Sequence, residues 1–197
     1  FLDLRNNKIR ENIFKRHEII KIMRNSLNDK GFIEVETPIM GKASDEWSRE
    51  FIVPSRLYPG QFYVLPQAPQ QLKQLLMGSG VDKYYQLARC FRDEDPKWDR
   101  QPEFTQLDME LAFTNKEEII SISELLLKIT RELYPNMKIQ NTNFPKIDYA
   151  DAMEFYGCDK PDIRYGLKMR TITDVLQDTE FSIFKQVIDN WGIVKAL

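Results

Sequence analysis

The sequence has few of the residues that build metal sites and nucleophilic sites. Among 197 residues there are two cysteines, Cys90 and Cys158, and one histidine, His17. The cysteines lie far apart and match no metal-ligand spacing, which argues against a zinc site. Sparse cysteine is also compatible with a reducing compartment.

Long apolar runs are also absent, since no stretch approaches the roughly 20 residues of a membrane-spanning helix. The formal net charge is −2, so a nucleic acid would have to be held by a local basic patch rather than by a general basic field. Glycine-rich P-loops, serine–histidine arrangements and internal repeats are missing too.

With 42% hydrophobic residues, the chain is long enough for one sizeable core and the start of a second domain. It begins at Phe1, so we expect a fragment.

Residues 84–113 are the most informative stretch, and we predict an antiparallel hairpin with a long charged connector over residues 95–101. Side chains at i and i+2 share one face of a strand. One face is apolar and carries Tyr85, Leu87, Phe91, Leu107, Met109, Leu111 and Phe113. The other carries small and polar residues together with one aromatic: Gln86, Ala88, Cys90, Arg92, Glu94, Phe104, Gln106, Asp108 and Glu110.

This polar face has two interpretations. The commoner one is the solvated side of a half-exposed antiparallel sheet. Solvated faces tend to be rich in threonine and lysine, whereas this one combines small residues, an aromatic and clustered arginine and carboxylates. We therefore predict that it forms the floor of an active site.

The segments FRDED and DRQPEFTQLDME within this hairpin are similar to the second signature motif of class II aminoacyl-tRNA synthetases, in the form of the bacterial-type aspartyl enzymes. The resemblance continues through QAPQQLKQLLM and YGCDKPDIR and covers nearly the whole chain. It implies an α+β fold with an antiparallel β-sheet flanked by helices, incomplete in this chain. Residues 1–170 would be a partial catalytic domain with motifs 1 and 2, and residues 171–197 the start of the insertion domain. By the same resemblance, motif 3 and the anticodon-binding barrel are expected to be absent from this chain.

Residues 8–38 combine a long helical pattern, a strand and a terminal proline. Apolar residues recur at three- to four-residue intervals, with one turn skipped, at Ile9, Ile13, Ile20, Met23 and Leu27. They predict a helix over residues 8–30 that ends at Gly31. The segment GFIEVETPIM then alternates as a strand up to Pro38. This combination resembles motif 1, which implies a homodimer through residues 8–38; a helix packed on its own sheet is the alternative.

A loop and a helix supply the predicted amino-acid site. Residues 41–50 have the pattern of a mobile loop, and by the resemblance Glu46 lies in the loop that closes over L-aspartate. In QAPQQLKQLLM we predict a helix with Gln70 and Lys73 on one face, three leucines buried on the opposite face and an end at Gly78. The resemblance implies that Gln70 and Lys73 bind L-aspartate, with Lys73 pairing with its side-chain carboxylate. Without it, Lys73 would be an ordinary solvated lysine.

Further helices are predicted after the hairpin. Residues 114–117 have the form of a capping box, and an apolar stripe from Ile119 to Leu133 follows until Pro135. A short helix over residues 148–156 is expected to end at Gly157. Two short strands, residues 51–53 and 62–65, are predicted to flank the turn at residues 58–60.

The resemblance implies that the parent protein joins L-aspartate to ATP as aspartyl-adenylate and then transfers aspartate to tRNA(Asp). Arg92 is the predicted catalytic residue, because a guanidinium group can meet two phosphate or carboxylate oxygens with a permanent charge. The predicted ATP-binding residues are Arg92, Asp93, Glu94, Gln101 and Phe104, the last stacking on adenine. Arg92 and Asp108 would also hold the aspartate, and Lys97 and Arg100 would contact the tRNA acceptor end. Mg²⁺ is implied, with ligands mostly outside this chain.

Two other functions stay open at this stage. One is a tRNA-independent relative, such as an asparagine synthetase that uses the same adenylate chemistry. The other is a non-catalytic dimerisation or RNA-binding fragment. The isolated chain is expected not to form adenylate, because it lacks motif 3. The parent is expected in the cytoplasm, with an organelle as the alternative.

Overall fold

The computed structural model describes residues 1–43, 49–95, 97–134, 136 and 144–197. The chain forms two compact units, Phe1–Ile139 and Gln140–Leu197. Both combine helices with small sheets, so the predicted α+β class is confirmed. The predicted boundary at residue 170, between the catalytic domain and the insertion domain, is a different division and stays a prediction.

Helix α1 runs from Asn7 to Asp29, within one residue of its predicted bounds. Asn6 caps it, because its side chain accepts the backbone N–H of Lys8 at 3.0 Å. Gly31 follows the helix with φ +79°, a conformation that side chains with a Cβ rarely adopt. The chain therefore turns sharply out of α1 into the first strand.

Three short strands follow: β1 is Ile33–Glu34, β2 is Ile52–Pro54 and β3 is Phe62–Val64. β2 and β3 form the predicted small antiparallel hairpin. The prediction of a strand that continues to Pro38 is wrong, since β1 has only two residues. The backbone N–H of Val35 still donates to Tyr85 O at 3.1 Å, but Thr37 leaves the ladder and uses its hydroxyl instead, toward Gln86.

The central sheet is built by the predicted hairpin. Strand β4 covers Lys83–Phe91 and β5 covers Glu103–Leu111, paired antiparallel along their whole length. β1 joins the free side of β4 in a parallel pair, which alternation patterns do not specify. The antiparallel register places Gln86 opposite Asp108 and Cys90 opposite Phe104.

The apolar face of this sheet forms the core of the first unit, under α1 and helix α3, which spans Lys116–Glu132. The buried cluster is Leu27, Phe32, Tyr85, Ile122 and Leu126, with Met23, Leu107, Met109 and Leu111 packed against it. Phe113 does not belong to it, contrary to expectation. It lies beyond the end of β5 with φ +52° and is fully exposed.

The start of α3 differs from the prediction by one residue. Asn115 is the cap, and its side chain accepts the backbone N–H of Glu118 at 2.9 Å. The Thr114 hydroxyl donates to the Glu118 carboxylate at 2.7 Å, so Thr114 contacts the first turn without being its cap. Asparagine is at least as favourable as threonine at a helix N-cap. The choice between the two positions therefore depends on which face of the helix buries Ile122 and Leu126.

The second unit contains α4 (Tyr149–Tyr156), α5 (Ser182–Asp189) and an antiparallel pair of β6 (Arg170–Thr171) with β7 (Lys195–Ala196). As predicted, α4 ends at Gly157, which has the left-handed conformation with φ +69°. Within the part of the chain that the structure describes, no helix has both the length and the apolar character needed to cross a membrane.

Candidate functional site

Helix α2, Gln70–Gly78, brings a lysine against the polar face of the hairpin. Lys73 is the one buried residue of this helix, whereas Leu72 is 37% and Leu75 is 69% exposed. The prediction that the three leucines face inward is therefore wrong for Leu72 and Leu75, whereas Leu76 is half-buried. Tertiary contact decides the orientation of this short helix, because carboxylates on β5 bind its lysine.

Lys73 makes two ion pairs with neighbouring same-face residues of β5. Its Nζ lies 2.8 Å from Asp108 Oδ1 and 3.2 Å from Glu110 Oε2. Burial alone would lower the pKa of Lys73, but the hydrogen bonds and charges of Asp108 and Glu110 outweigh it and raise that pKa. The two carboxylates thus favour the charged form of the buried Lys73 ammonium group.

Asp108 is 4% exposed, and one of its two carboxylate oxygens is committed to Lys73. The other, Oδ2, is buried without a hydrogen-bond partner among the described residues. A buried carboxylate oxygen without a donor is costly, roughly 1–3 kcal/mol or more for a charged group. Such an atom indicates a place where a ligand donates a hydrogen bond.

Arg92 and Phe104 form the opposite end of the same face. The Arg92 guanidinium carbon lies 5.2 Å from the centre of the Phe104 ring. Arg92 is half-buried and forms no ion pair with any residue that the structure describes. Around the two side chains is an open cavity of about 320 Å³ that Glu94, Gln101 and the connector also line. A cation without a carboxylate partner in a cavity is suited to bind an anion.

Residues 97–100 of the connector between the strands form a tight turn. Arg100 N–H donates to Lys97 O at 3.1 Å, and the Arg100 guanidinium lies 3.2 Å from Glu94 Oε2. Trp98 at the tip is 97% exposed. Glu94 and Arg100, for which we predicted separate roles, are thus partners in this structure.

The two ends are joined by a floor of small or neutral side chains. Ala88 and Cys90 are buried in β4, and Gln106 lies between Phe104 and Asp108 on β5. Phe104 and Asp108 are four residues apart on one strand, or about 13 Å at 3.3 Å per residue. That length fits an amino acid joined to a nucleotide.

The predicted loop over residues 41–50 is fixed at both flanks next to this floor. Gly41 exchanges two backbone hydrogen bonds with Val64, at 3.1 and 3.0 Å. Asp93 N–H donates to Arg49 O at 3.2 Å, which ties the other flank to the end of β4. Glu46 lies outside the described residues.

The structure therefore brings most of the predicted site residues to one face, in two groups. Lys73 and Asp108 form one group, and Arg92, Glu94, Gln101 and Phe104 form the other. Gln70 is exposed at the start of α2, and Asp93 is exposed beside Arg92.

Four residues that border Asp108 had no predicted role. Glu110 is the second carboxylate on Lys73, and Thr37, Tyr84 and Gln86 form a hydrogen-bonded chain beside it. Alternation had placed Gln86 and Glu110 on the polar face with Asp108, but it gave no sign of what they bind. Thr37 has no such signal, because no strand pattern places it there.

A metal site has no support in the described segments, since they contain no group of three or more His, Cys, Asp or Glu that could hold an ion.

The resemblance to class II synthetases implied that Lys73, Asp108, Arg92 and Phe104 belong to one site, and their side chains lie along one face of the hairpin in this structure. Residues 1–188 match the family model described as tRNA synthetases class II (D, K and N). The chain belongs to this family.

Curated relatives are similar over the whole chain. It is 52% identical to "Aspartate--tRNA(Asp/Asn) ligase" of Dehalococcoides mccartyi and 48% identical to the protein of that name from Syntrophomonas wolfei. It is 50% identical to "Aspartate--tRNA ligase" of Listeria monocytogenes. Each comparison covers 100% of this chain and 33% of the relative, so the chain spans about one third of their length.

Proposed function

We propose that the protein containing this chain activates L-aspartate with ATP and transfers it to tRNA(Asp). The observation that supports this best is the pair of charged groups on one sheet face. A buried ammonium held by two carboxylates lies at one end, and an arginine without a carboxylate partner among the described residues lies over an aromatic ring at the other. The spacing matches an aminoacyl-adenylate.

At the nucleotide end, Arg92 bridges the α-phosphate and the aspartate carboxylate. Its guanidinium stabilises the negative charge that builds on the α-phosphate during nucleotidyl transfer. Phe104 stacks on the adenine ring, while Glu94, Gln101 and the exposed Asp93 contact the rest of the nucleotide. The contact between Arg92 and Phe104 keeps the guanidinium in place before ATP binds.

At the amino-acid end, Lys73 has three N–H donors. Two are used by Asp108 and Glu110, so the third can donate to the side-chain carboxylate of aspartate. Asp108 Oδ2 accepts from the substrate ammonium group, which supplies the missing partner. Gln70 at the start of α2 and Glu46 in the neighbouring loop complete the aspartate site.

The remaining partners follow from exposed parts of the first unit. Lys97 and Arg100 on the connector contact phosphates of the tRNA acceptor end, where a positive charge is favourable. Residues 8–38 form a homodimer interface, since Ile13 is 51% and Phe14 is 61% exposed on α1. Mg²⁺ accompanies ATP, with ligands mostly outside this chain. The protein acts in the cytoplasm, where ATP and tRNA are available.

The test is amino-acid-dependent ATP–pyrophosphate exchange by the whole protein. The family model covers enzymes for three amino acids, so L-aspartate, L-asparagine and L-lysine are compared. We expect exchange with L-aspartate only. Exchange with either of the other two would contradict the proposal.

Transfer of aspartate to RNA separates the proposed function from a tRNA-independent adenylate-forming enzyme. Transcripts of tRNA(Asp) and tRNA(Asn) are compared, because the names of the relatives include both specificities. Charging of tRNA(Asp) is expected. Exchange without charging of either transcript would favour the asparagine-synthetase alternative. The isolated chain serves as a comparison and is expected to be inactive in both assays.

A further inference from the structure

Gln106 lies on the polar face of β5 midway between the two ends of the candidate site, and the proposed chemistry gives it no role. Its same-face neighbours on β5 are Phe104 and Asp108, each two residues away, or about 7 Å at 3.3 Å per residue. Ala88 stands directly opposite it on β4 and is 2% exposed. Because alanine has no polar side-chain group, Gln106 supplies the side-chain hydrogen bonds of these two strands at the middle of the floor.

The side-chain amide of Gln106 is held at its oxygen and open at its nitrogen. Oε1 lies 3.8 Å from Sγ of Cys90, a fully buried thiol that is also 3.8 Å from Ala88 O. A thiol can donate to an amide oxygen but is a weak acceptor, so this contact favours Oε1 on the Cys90 side. Nε2 donates no hydrogen bond to any residue in the described ranges. Gln106 is half-buried, so its NH₂ group is accessible to a ligand on the floor.

An amino acid that is joined to a nucleotide here would place its carboxyl group beside Gln106. With the substrate ammonium on Asp108 Oδ2 and the adenine on Phe104, the α-carboxylate lies between them. One of its oxygens forms the new bond to the α-phosphorus while the bond from that phosphorus to pyrophosphate breaks. The other oxygen becomes the carbonyl oxygen of the adenylate. It can accept a hydrogen bond before and after this step, so a neutral N–H donor can hold it throughout.

We propose that Gln106 is a substrate-binding residue whose Nε2 donates to the carboxylate oxygen that does not attack phosphorus and becomes the carbonyl oxygen of the adenylate. This inference rests on the proposed function and deepens it, because it adds a contact at the junction of amino acid and nucleotide. The hydrogen bond is made in the bound substrate and kept in the adenylate. Its loss therefore weakens binding more than it slows the chemical step.

The first test is Gln106→Met in the whole protein, since methionine matches glutamine in length but has no N–H donor. We expect the KM for L-aspartate in ATP–pyrophosphate exchange to rise roughly tenfold, the effect of losing one hydrogen bond to a charged group. The kcat and the KM for ATP should each stay within about threefold. A fall of kcat by more than about tenfold, with the KM for L-aspartate unchanged, would overturn the proposal.

Gln106→Glu separates a hydrogen-bond donor from a side chain that only fills space. Glutamate has nearly the shape of glutamine, but a carboxylate oxygen replaces the NH₂ group and repels the carboxylate of the substrate. We expect a larger rise in the KM for L-aspartate than in Gln106→Met. A KM close to that of the parent protein would exclude the donor role.

Two unreactive analogues of the adenylate identify the atom that Gln106 contacts. Aspartyl-sulfamoyladenosine keeps the carbonyl oxygen, whereas aspartinol adenylate has a methylene group in its place. We expect Gln106→Met to weaken the first analogue about fivefold and to leave the second within about twofold, measured by isothermal titration calorimetry. Equal changes for the two analogues would contradict the proposal, because a general disturbance of the site does not distinguish them.

Two control variants separate this contact from an indirect effect. Gln74→Met makes the same substitution at an exposed position of α2 and should leave both analogues within about twofold. Cys90→Ala removes the thiol that orients Gln106, and it should weaken the carbonyl analogue less than Gln106→Met does, since a thiol is a weak donor. A loss in either control that matches the loss in Gln106→Met would count against a specific contact by Gln106.

Binding by the parent protein distinguishes a failure of this inference from a failure of the proposed function. If the parent binds aspartyl-sulfamoyladenosine no more tightly than AMP, the proposed function is wrong and the inference fails with it. If the parent binds it more tightly and Gln106→Met binds both analogues as the parent does, only the inference is wrong. If Gln106→Met does not fold, the same comparison is made with Gln106→Glu.

Discussion

Arg92 and Arg89 show how two arginines on one hairpin differ in what they can do. Arg89 is 51% exposed on its side chain and paired with Glu103 at 2.9 Å. Arg92 is half-buried, lies over Phe104 and pairs with no carboxylate in the described ranges. The charge of Arg89 is neutralised within the protein, whereas that of Arg92 is available to a ligand.

Replacing Arg92 with alanine in the whole protein should lower the rate of ATP–pyrophosphate exchange by about 10²–10³-fold, because a preorganised donor to the developing charge is lost. Arg92→Lys should also lose much of the rate, since an ammonium group cannot bind two oxygens in a fixed plane. The measurement is kcat for exchange at saturating aspartate and ATP.

Arg89→Lys is the matched control, because it makes the same change on the opposite face of the sheet. It is expected to leave the rate within about twofold, as exposed ion pairs contribute little. Equal losses for the two arginines would show that Arg92 has no special role.

At the scale of the element, the two halves of α1 differ in how deeply their apolar side chains are buried. Its C-terminal half contributes Leu27, which is fully buried, and Met23 to the core. Its N-terminal half leaves Ile13 and Phe14 more than half exposed. The apolar side chains of one helix thus pack into the core at its C-terminal end and lie on the surface at its N-terminal end.

Leu27→Ala and Ile13→Ala should therefore have different effects. Leu27→Ala opens a cavity in the core and should lower the free energy of unfolding by about 2–5 kcal/mol. Ile13→Ala should leave that free energy within about 0.5 kcal/mol at concentrations where the protein is monomeric. It should instead raise the dissociation constant of the proposed homodimer, measured by sedimentation equilibrium.

Each variant is the control for the other. A large loss of monomer stability in Ile13→Ala would mean that Ile13 belongs to the core. Unchanged dimerisation in Ile13→Ala and in Phe14→Ala would argue against residues 8–38 as the interface.

At the scale of the molecule, three buried groups of the first unit link its stability to alkaline pH. The pKa values of Lys73, Tyr84 and Tyr85 are all raised, that of Tyr85 to about 12 by burial and then by Glu34. In the unfolded chain these groups lose their protons near pH 10. Between that pH and the folded pKa values the unfolded state binds fewer protons, so stability falls as pH rises.

We expect these groups to contribute a nearly constant free energy of unfolding from pH 7 to 9. The loss should reach about 1 kcal/mol per buried tyrosine at pH 11. Urea unfolding at several pH values measures this. Tyr84→Phe should flatten the alkaline decline, whereas Tyr58→Phe, at a position that is 57% exposed, should not. Parallel declines in both variants would contradict the assignment.

Patterns of period two and of period three to four were enough to predict the hairpin, α1 and α4. The bounds of α1 and α4 agree with the structure to within one residue, and the bounds of the two hairpin strands agree to within about three. These elements are long or end at a glycine, so local geometry specifies them. The length of β1 and the inward side of α2 could not be obtained in this way. Both depend on partners distant in sequence, Gln86 for Thr37 and Asp108 for Lys73.

The features of the candidate site can be sorted in the same way, into those predicted by local patterns and those that depend on tertiary packing. The sequence alone was enough to place Arg92, Phe104 and Asp108 on one polar face, because alternation along a strand is a property of the backbone. It could not show that Lys73 is already bound by two carboxylates, or that Gln86 accepts hydrogen bonds from both Tyr84 and Thr37. Those facts depend on how α2 and the segment after β1 pack on the hairpin. Such packing follows from the summed contacts of the folded unit rather than from any local pattern.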